Sequence, residues 1–414
     1  MKRFNKKKVI IISLISVILL GTGNYIYYNS IPKEEPLIGA YIDGTYSDTL
    51  PSKGTGYKVD KIVCDNNKNA SWDYNKWGIK LSNWGTRSRC NIYFKSLDSF
   101  TIANKTFYLD EMLRCPSMNS DGTVTVTGAE DTYGYLCKAK DAYGDSYYYR
   151  GNVINNYVLF AGKYWRIIRF NGDGTVRVIY DGTSAHANGE SSTDRQIGTS
   201  DFNSSYNDNA YVGYMYGKVD ASTYAETHAN TNNSTIKTYI DTWYESNIKG
   251  TINEKYIVDN IFCNDRSFAK NNSGTGAGKS STYYRWRYFA NNSNNNKMML
   301  TCPQQNDSFT VSDTSKGNGA LTYGIGLVTT DEVVLGCGWS SSNYSNYLYT
   351  GQGYWTSSPG YFDGTSANVH SMNPFGYVGN SGVVTSNLGA RPVLNLSSEV
   401  LNNGDGTASN PFHP

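Results

Sequence analysis

Charge is scarce in this chain. Asp, Glu, Lys and Arg make up only 17% of its 414 residues, and the formal net charge is +2. Lys2, Arg3, Lys6, Lys7 and Lys8 supply five of the 37 basic residues, and no acid lies among the first eight positions. Beyond them 32 basic residues face 35 acidic ones, a balance of −3. A near-neutral body of this kind gives no electrostatic case for nucleic acid. Histidine is rarer still. The four copies, His186, His228, His370 and His413, are scattered, and no C-x-x-C pair occurs. Clustered zinc-type ligands are therefore not expected, and neither a metal nor a cofactor is called for. There is no G-x-S-x-G elbow. Gly274 to Ser280 imitates a phosphate loop, but Ser273 stands where the first glycine belongs, so the segment reads as a loop. An enzyme is not expected.

What the chain has in quantity is tyrosine, 36 copies against 14 Phe, among abundant Asn, Ser, Thr and Gly. That mixture suits exposed sheet and loops more than helical bundles. One long apolar run exists, Val9 to Leu20, broken only by Ser13 and Ser16 and followed by Tyr25-Ile26-Tyr27-Tyr28. Val9 to Tyr28 is about the length a bilayer requires, with basic residues on its amino side and an interfacial tyrosine belt. It reads as an uncleaved signal anchor, with a cleaved signal peptide as the competing reading. Both export the rest of the chain, and the anchor makes it a single-pass membrane protein with its carboxyl-terminal part outside.

Seven cysteines fit export. Cys64 and Cys90, Cys115 and Cys137, and Cys263 and Cys302 bracket successive segments. Pairing within each bracket is the expectation, although spacing does not fix connectivity. Cys337 is left over and reads as a small buried hydrophobe.

The chain divides by composition. Residues 1–28 form the basic stub and membrane helix, and 29–40 a linker with Pro32 and Pro36. Residues 41–95 read as a small β-module that a Cys64–Cys90 staple would help to stabilise. Residues 96–150 carry a short helix, Phe107 to Arg114, and a hairpin of Thr123–Thr127 with Gly134–Lys138. Then come a large domain, 151–400, and a tail, 401–414. From the end of the 96–150 segment into the large domain, Tyr147–Arg150, Tyr157–Phe160, Trp165–Phe170 and Val176–Tyr180 read as successive strands. Asn171-Gly172-Asp173-Gly174 is the turn between the last two. Ser234 caps a helix to about Ile248 with Ile236, Tyr239, Ile240 and Trp243 on one face. Thr329 and Glu332 form a capping box.

Tyr354 to Leu396 reads as several short strands, with Asn373-Pro374-Phe375-Gly376 as a type I turn. Its motifs Tyr354-Trp355-Thr356-Ser357-Ser358 and Ala390-Arg391-Pro392-Val393, with Gly326 to Glu332, resemble those of bacterial C-type-lectin-like domains over roughly 151–396. The resemblance implies an α+β fold, short antiparallel strands with two helices, preceded by the small β-module and the membrane helix. It implies no single function, because such folds host many.

The late aromatic residues, interleaved with Ser, Asn and Gly, have the composition of a contact surface. Trp339, Tyr361, Asp363, Asn368, His370, Asn373, Phe375 and Tyr377 are the candidate ligand-binding residues. Tyr354, Trp355 and Arg391 are expected to be structural. The expectation is a cell-surface protein that binds a glycan or a protein. The alternatives are a structural stalk without a discrete site and an oxidase of the formylglycine-generating type drawing on Cys302 and Cys337.

Overall fold

Stretches in which Tyr, Trp, Val and Ile alternate with Ser, Asn and Gly favour paired extended segments over helices. The computed structural model describes residues 37–65, 69–74, 76–82, 89–110, 114–126, 133–286, 297–338 and 344–414. It is mainly β, with three α-helices among the described residues: α1 (Tyr224–Thr227), α2 (Thr235–Asn247) and α3 (Thr330–Cys337). This corrects the expected α+β, lectin-like class. Strong helix formers are thin between the caps, so α1 ends after four residues and α3 after eight, and strands carry most of the core. No described helix is long and apolar enough to cross a membrane. The expected membrane helix, Val9 to Tyr28, lies outside the described residues.

Two units are present, one running to Phe100 with Thr106–Arg114, the other comprising Thr101–Lys105 and Cys115–Pro414. In the first, Leu37–Ile42 forms a hairpin with Thr45–Ser47 and lies parallel to Arg89–Ser96, which pairs antiparallel with Tyr57–Cys64. Leu37 to Ala40, placed with the linker from sequence, is thus the start of a strand. Ile92 and Phe94 are buried, and Trp72 packs edge-on against Phe94 and Trp77. Cys64 and Cys90 stand directly opposite each other in the register and are bonded.

The second unit holds two larger sheets. In the first of these, Gly134–Asp141, Gly144–Gly151, Lys163–Phe170, Val176–Gly182, Val393–Leu396 and Ile325–Gly326 follow one another, all antiparallel. Tyr157–Phe160 pairs with Lys163–Phe170. The turn at Asn171–Gly174 falls where the sequence placed it, closed by Gly174 N–H donating to the Asn171 carbonyl. In the other sheet Tyr354–Phe362 pairs with Ala367–Met372, and that strand with Val378–Val383. Two local expectations fail. Phe107 and Tyr108 close a strand, Lys105–Tyr108, because a Thr-Phe-Tyr run fits a pleat better than a helix. Gly134–Asp141 pairs with Gly144–Gly151 across a two-residue loop, while Val124–Thr125 pairs with Lys297–Met298. The tighter loop is the shorter closure.

All three bracketed cysteine pairs are bonded: Cys64–Cys90, Cys115–Cys137 and Cys263–Cys302. Cys337 is a buried thiol outside the three disulfides, and burial pushes its pKa up to about 12. Three disulfides mark an extracellular or secreted protein.

Arginine carries the interior of the second unit. Asp181, fully buried, accepts from Arg195 Nε at 2.8 Å and Arg391 Nη2 at 3.1 Å, and Arg166 lies 3.7 Å away. Arg391 also donates to the carbonyls of Leu348 and Tyr180. It is structural, as expected. Nearby, the His186 ring sits between Glu190 (2.7 Å) and Asp194 (2.9 Å). Burial works against a charged imidazole, but the hydrogen bonds to Asp194 and Glu190, with the field of Asp181, outweigh it and raise the pKa.

Two outcomes are expected. Arg391→Ala leaves Asp181 short of a partner in a dry site and should lower unfolding free energy in urea by about 3–5 kcal/mol. A loss below about 1 kcal/mol would contradict that role. For His186, the raised folded-state pKa means its contribution is full below the unfolded value of about 6.5 and disappears as pH rises through the folded one. Glu190 and Asp194 are held low, so their contributions disappear only in acid. The stability difference between wild type and His186→Gln should therefore be larger at pH 6 than at pH 8. Equal differences at the two pH values would refute the clamp.

Candidate functional site

Helix α2 builds one wall of an open groove in the second unit. Its sequence, Thr-Ile-Lys-Thr-Tyr-Ile-Asp-Thr-Trp-Tyr-Glu-Ser-Asn, starts at Ser234, whose hydroxyl accepts from Lys237 N–H. Ile236, Ile240 and Tyr244 recur every fourth position and are buried. Lys237 and Asp241 share that inward face as an ion pair at 2.5 Å. Burial pushes the Asp241 carboxyl up, while Lys237 opposes the shift. The sequence reading put Tyr239 and Trp243 in the apolar face. They lie instead on its flank, half-buried. Lys237 and Asp241 took the inward positions because each neutralises the other there, a pairing that charge-counting assigns to solvent.

The stripe that lines the groove is uncharged, and the exposed Glu245 lies outside it. Thr238, Thr242 and Ser246 are exposed, and each hydroxyl donates to the carbonyl four residues back, at 3.1, 2.9 and 2.9 Å. Trp243 closes an edge-on aromatic cluster with Trp165 and Tyr180, at 6.0 and 5.8 Å between centroids. The Tyr239 hydroxyl donates to the Ile197 carbonyl at 3.3 Å. A Cβ at the neighbouring Gly198, where φ is 139°, would stand 2.2 Å from that oxygen. The place of Tyr239 depends on a glycine there.

Facing the helix is the segment Ser200 to Ser204. It is fixed from both sides. Phe202 accepts from the Ile236 N–H at the start of α2, and its own N–H and that of Asn203 donate to the Val384 carbonyl. Trp355, wholly buried, donates its indole N–H to the Ser200 carbonyl at 2.9 Å. Asn203 spends its amide N–H groups on the carbonyls of Tyr211 and Gly213. Tyr216 and Asn233, from the paired strands Met215–Tyr216 and Asn232–Asn233, complete the walls. Burial pushes the Tyr216 phenol up, which keeps it neutral. The result is a groove of about 650 Å³ in which no lining side chain is charged. Its size is that of a small-ligand cleft.

A second, much smaller chamber of about 20 Å³ lies beside α3. It is as charged as the groove is neutral. Glu332 receives Arg177 at 2.5 Å and Arg169 at 3.1 Å, and Arg169 also reaches Asp141 at 2.7 Å. Burial works to raise the Glu332 pKa, but Arg177 and Arg169 outweigh it and hold the carboxylate low. Arg285 bridges Asp265 and Asp331. Every cation here has its counterion within the wall, and the volume is that of one water. The chamber is a structural knot.

The residues singled out from sequence do not converge on either cavity. Trp339 lies outside the described residues. Asn368 is 2% exposed, and its amide donates to the Ser366 carbonyl, so it is structural. Asn373 accepts from the Phe375 N–H and shapes the turn, as Asp363 does for Thr365 and Ser366. His370 lies 5.9 Å from Trp286, ring to ring, and is half-buried. Tyr361 packs near Tyr283. Phe375 is exposed at the turn and Tyr377 half-buried. Among the described residues no group of three or more His, Cys, Asp or Glu could hold a metal. Cys302 is bonded to Cys263, so the Cys302–Cys337 pair an oxidase would draw on is not formed. The signal that could have found the groove was in α2: Thr, Thr and Ser at positions 238, 242 and 246, next to Tyr239 and Trp243.

Gly198→Ala should cost about 1–3 kcal/mol in urea unfolding, from crowding and an unfavourable φ. Because the Tyr239 oxygen is the atom it strikes, adding Tyr239→Phe should recover part of that loss. No recovery would show that Gly198 is needed for another reason. No family model, no curated protein and no solved structure matches the chain.

Proposed function

We propose that this is an exported recognition protein whose second unit takes an external ligand along the α2 groove, without chemistry. The observation that carries the reading is the inversion of α2. Two of its three charged residues, Lys237 and Asp241, face the interior as a pair, while its rings and hydroxyls line a cleft of ligand size from which the third, the exposed Glu245, is absent. A solvated helix face ordinarily carries its charge outward. Rings with few rotatable bonds beside Ser, Thr and Asn give contact area at small entropic cost. No acid, base or cysteine lines the groove, which favours binding over catalysis. The partner is a glycan or a surface protein. Val9 to Tyr28 serves in this reading as the anchor that holds the protein on the membrane, with the ligand-binding unit outside.

Thr242 is exposed, so Thr242→Arg should move stability by no more than about 0.5 kcal/mol. It places a bulky cation in the middle of the groove. The intact chain should bind at least one member of an immobilised panel of cell-surface glycans and proteins, and Thr242→Arg should weaken that binding tenfold or more. Binding that ignores the substitution would remove the groove as the recognition site. An intact chain that captures nothing from the panel would favour a stalk without a discrete site.

A further inference from the structure

The outer face of α2 has a repeat. Thr238-Tyr239, Thr242-Trp243 and Ser246-Asn247 each set a hydroxyl beside a ring or an amide, and the pairs recur every four residues. At 1.5 Å of rise per residue the rungs are about 6 Å apart. We infer that the groove binds a neutral oligosaccharide lengthwise, one sugar ring to a rung. The inference rests on the reading of the groove as a binding site and adds the ligand class.

Three features of the groove select that class. The first is charge. The groove wall holds no cation or anion; of the charged side chains of α2, Lys237 and Asp241 are paired beneath it, and the exposed Glu245 lies outside the lining. A carboxylate or sulfate entering such a site loses water without gaining a counterion, which is costly. The second is hydrogen-bond polarity. A Ser or Thr hydroxyl has one proton and two acceptor positions. Thr238, Thr242 and Ser246 have each committed the proton to a helix carbonyl, and Asn203 has committed its N–H groups to Tyr211 and Gly213. What these side chains have left to offer is acceptors, so the ligand must bring donors. A chain of hydroxyl groups does so at every unit. The third is shape. Tyr239 and Trp243 give two ring surfaces one helical turn apart, each braced from behind, Tyr239 through Ile197 and Trp243 through Trp165 and Tyr180. The C–H face of a sugar stacks on such a surface, and two surfaces at one-turn spacing suit consecutive sugars rather than a single one.

The test is calorimetric titration of the intact chain with neutral trisaccharides built on glucose, mannose or N-acetylglucosamine. The corresponding monosaccharides, trigalacturonate and an uncharged tripeptide are titrated beside them. At least one neutral trisaccharide should bind tenfold or more tighter than its monosaccharide and tenfold or more tighter than trigalacturonate. Thr242→Val, which keeps the shape and removes the acceptor, should weaken it about tenfold, the equivalent of about 1.4 kcal/mol. Trp243→Phe, which shrinks one ring surface without emptying the aromatic cluster, should weaken it as well. Tight binding of trigalacturonate or the peptide that Thr242→Arg abolishes would overturn the saccharide inference and leave the groove as a site. Trisaccharide binding unchanged in Thr242→Arg would overturn both. Monosaccharide and trisaccharide of equal affinity would overturn the lengthwise mode.

Discussion

Buried arginine–carboxylate pairing is the constraint on which the second unit depends. Arg166, Arg177, Arg195, Arg266 and Arg391 have essentially no exposed surface. Each ionised group taken from water there incurs a penalty of several kcal/mol unless it is met by a counterion and hydrogen bonds. The partners are therefore positional requirements. Asp181 must stand where Arg195 and Arg391 converge, which fixes the strand Val176–Gly182 against the approach to Val393–Leu396. Glu332 must stand where Arg169 and Arg177 converge, which fixes α3 against the same sheet. The Ala-Arg-Pro-Val segment has its form because its arginine ties two carbonyls and one carboxylate together.

The same rule, applied to a surface helix, produces the groove. Lys237 and Asp241 satisfy each other on the inner face of α2, and the remaining charge of the helix, the exposed Glu245, lies outside the groove lining. The outer face is then free to carry rings and hydroxyls in a region where Ser200 to Ser204, pinned by Trp355 and by the first turn of α2, supplies the opposite wall.

Local signals were legible in the sequence. Ser234 and Thr329 were recognisable as caps because a short hydroxyl ahead of an apolar run has one good use for its oxygen. The three disulfides followed from bracketing, and the Asn171–Gly174 turn from its residues. Fold class and site were less so. The small number of helical residues depends on how strands from distant positions share a core, and periodicity within one segment does not report that. The facing of α2 differs from the expected Ile236, Tyr239, Ile240 and Trp243 face because Lys237 and Asp241 take inward positions as a pair, which leaves Tyr239 and Trp243 on the flank. The groove draws on residues around 200, 216, 233 and 239–247, and no single window contains it. Asn368 was a candidate for contact because it falls in the late segment of interleaved rings, Ser, Asn and Gly, yet its side chain is buried.

In the first unit, Leu37–Ile42 and Arg89–Ser96 are neighbours running in the same direction, in register over six residue pairs. Chain entering the first strand and chain leaving the second therefore depart from opposite ends of the pair. Tension applied along the polypeptide would load those backbone hydrogen bonds in shear, all together, whereas an antiparallel arrangement would peel open one bond at a time. The bridge between Cys64 and Cys90 prevents the loop between Tyr57–Cys64 and the second strand from paying out.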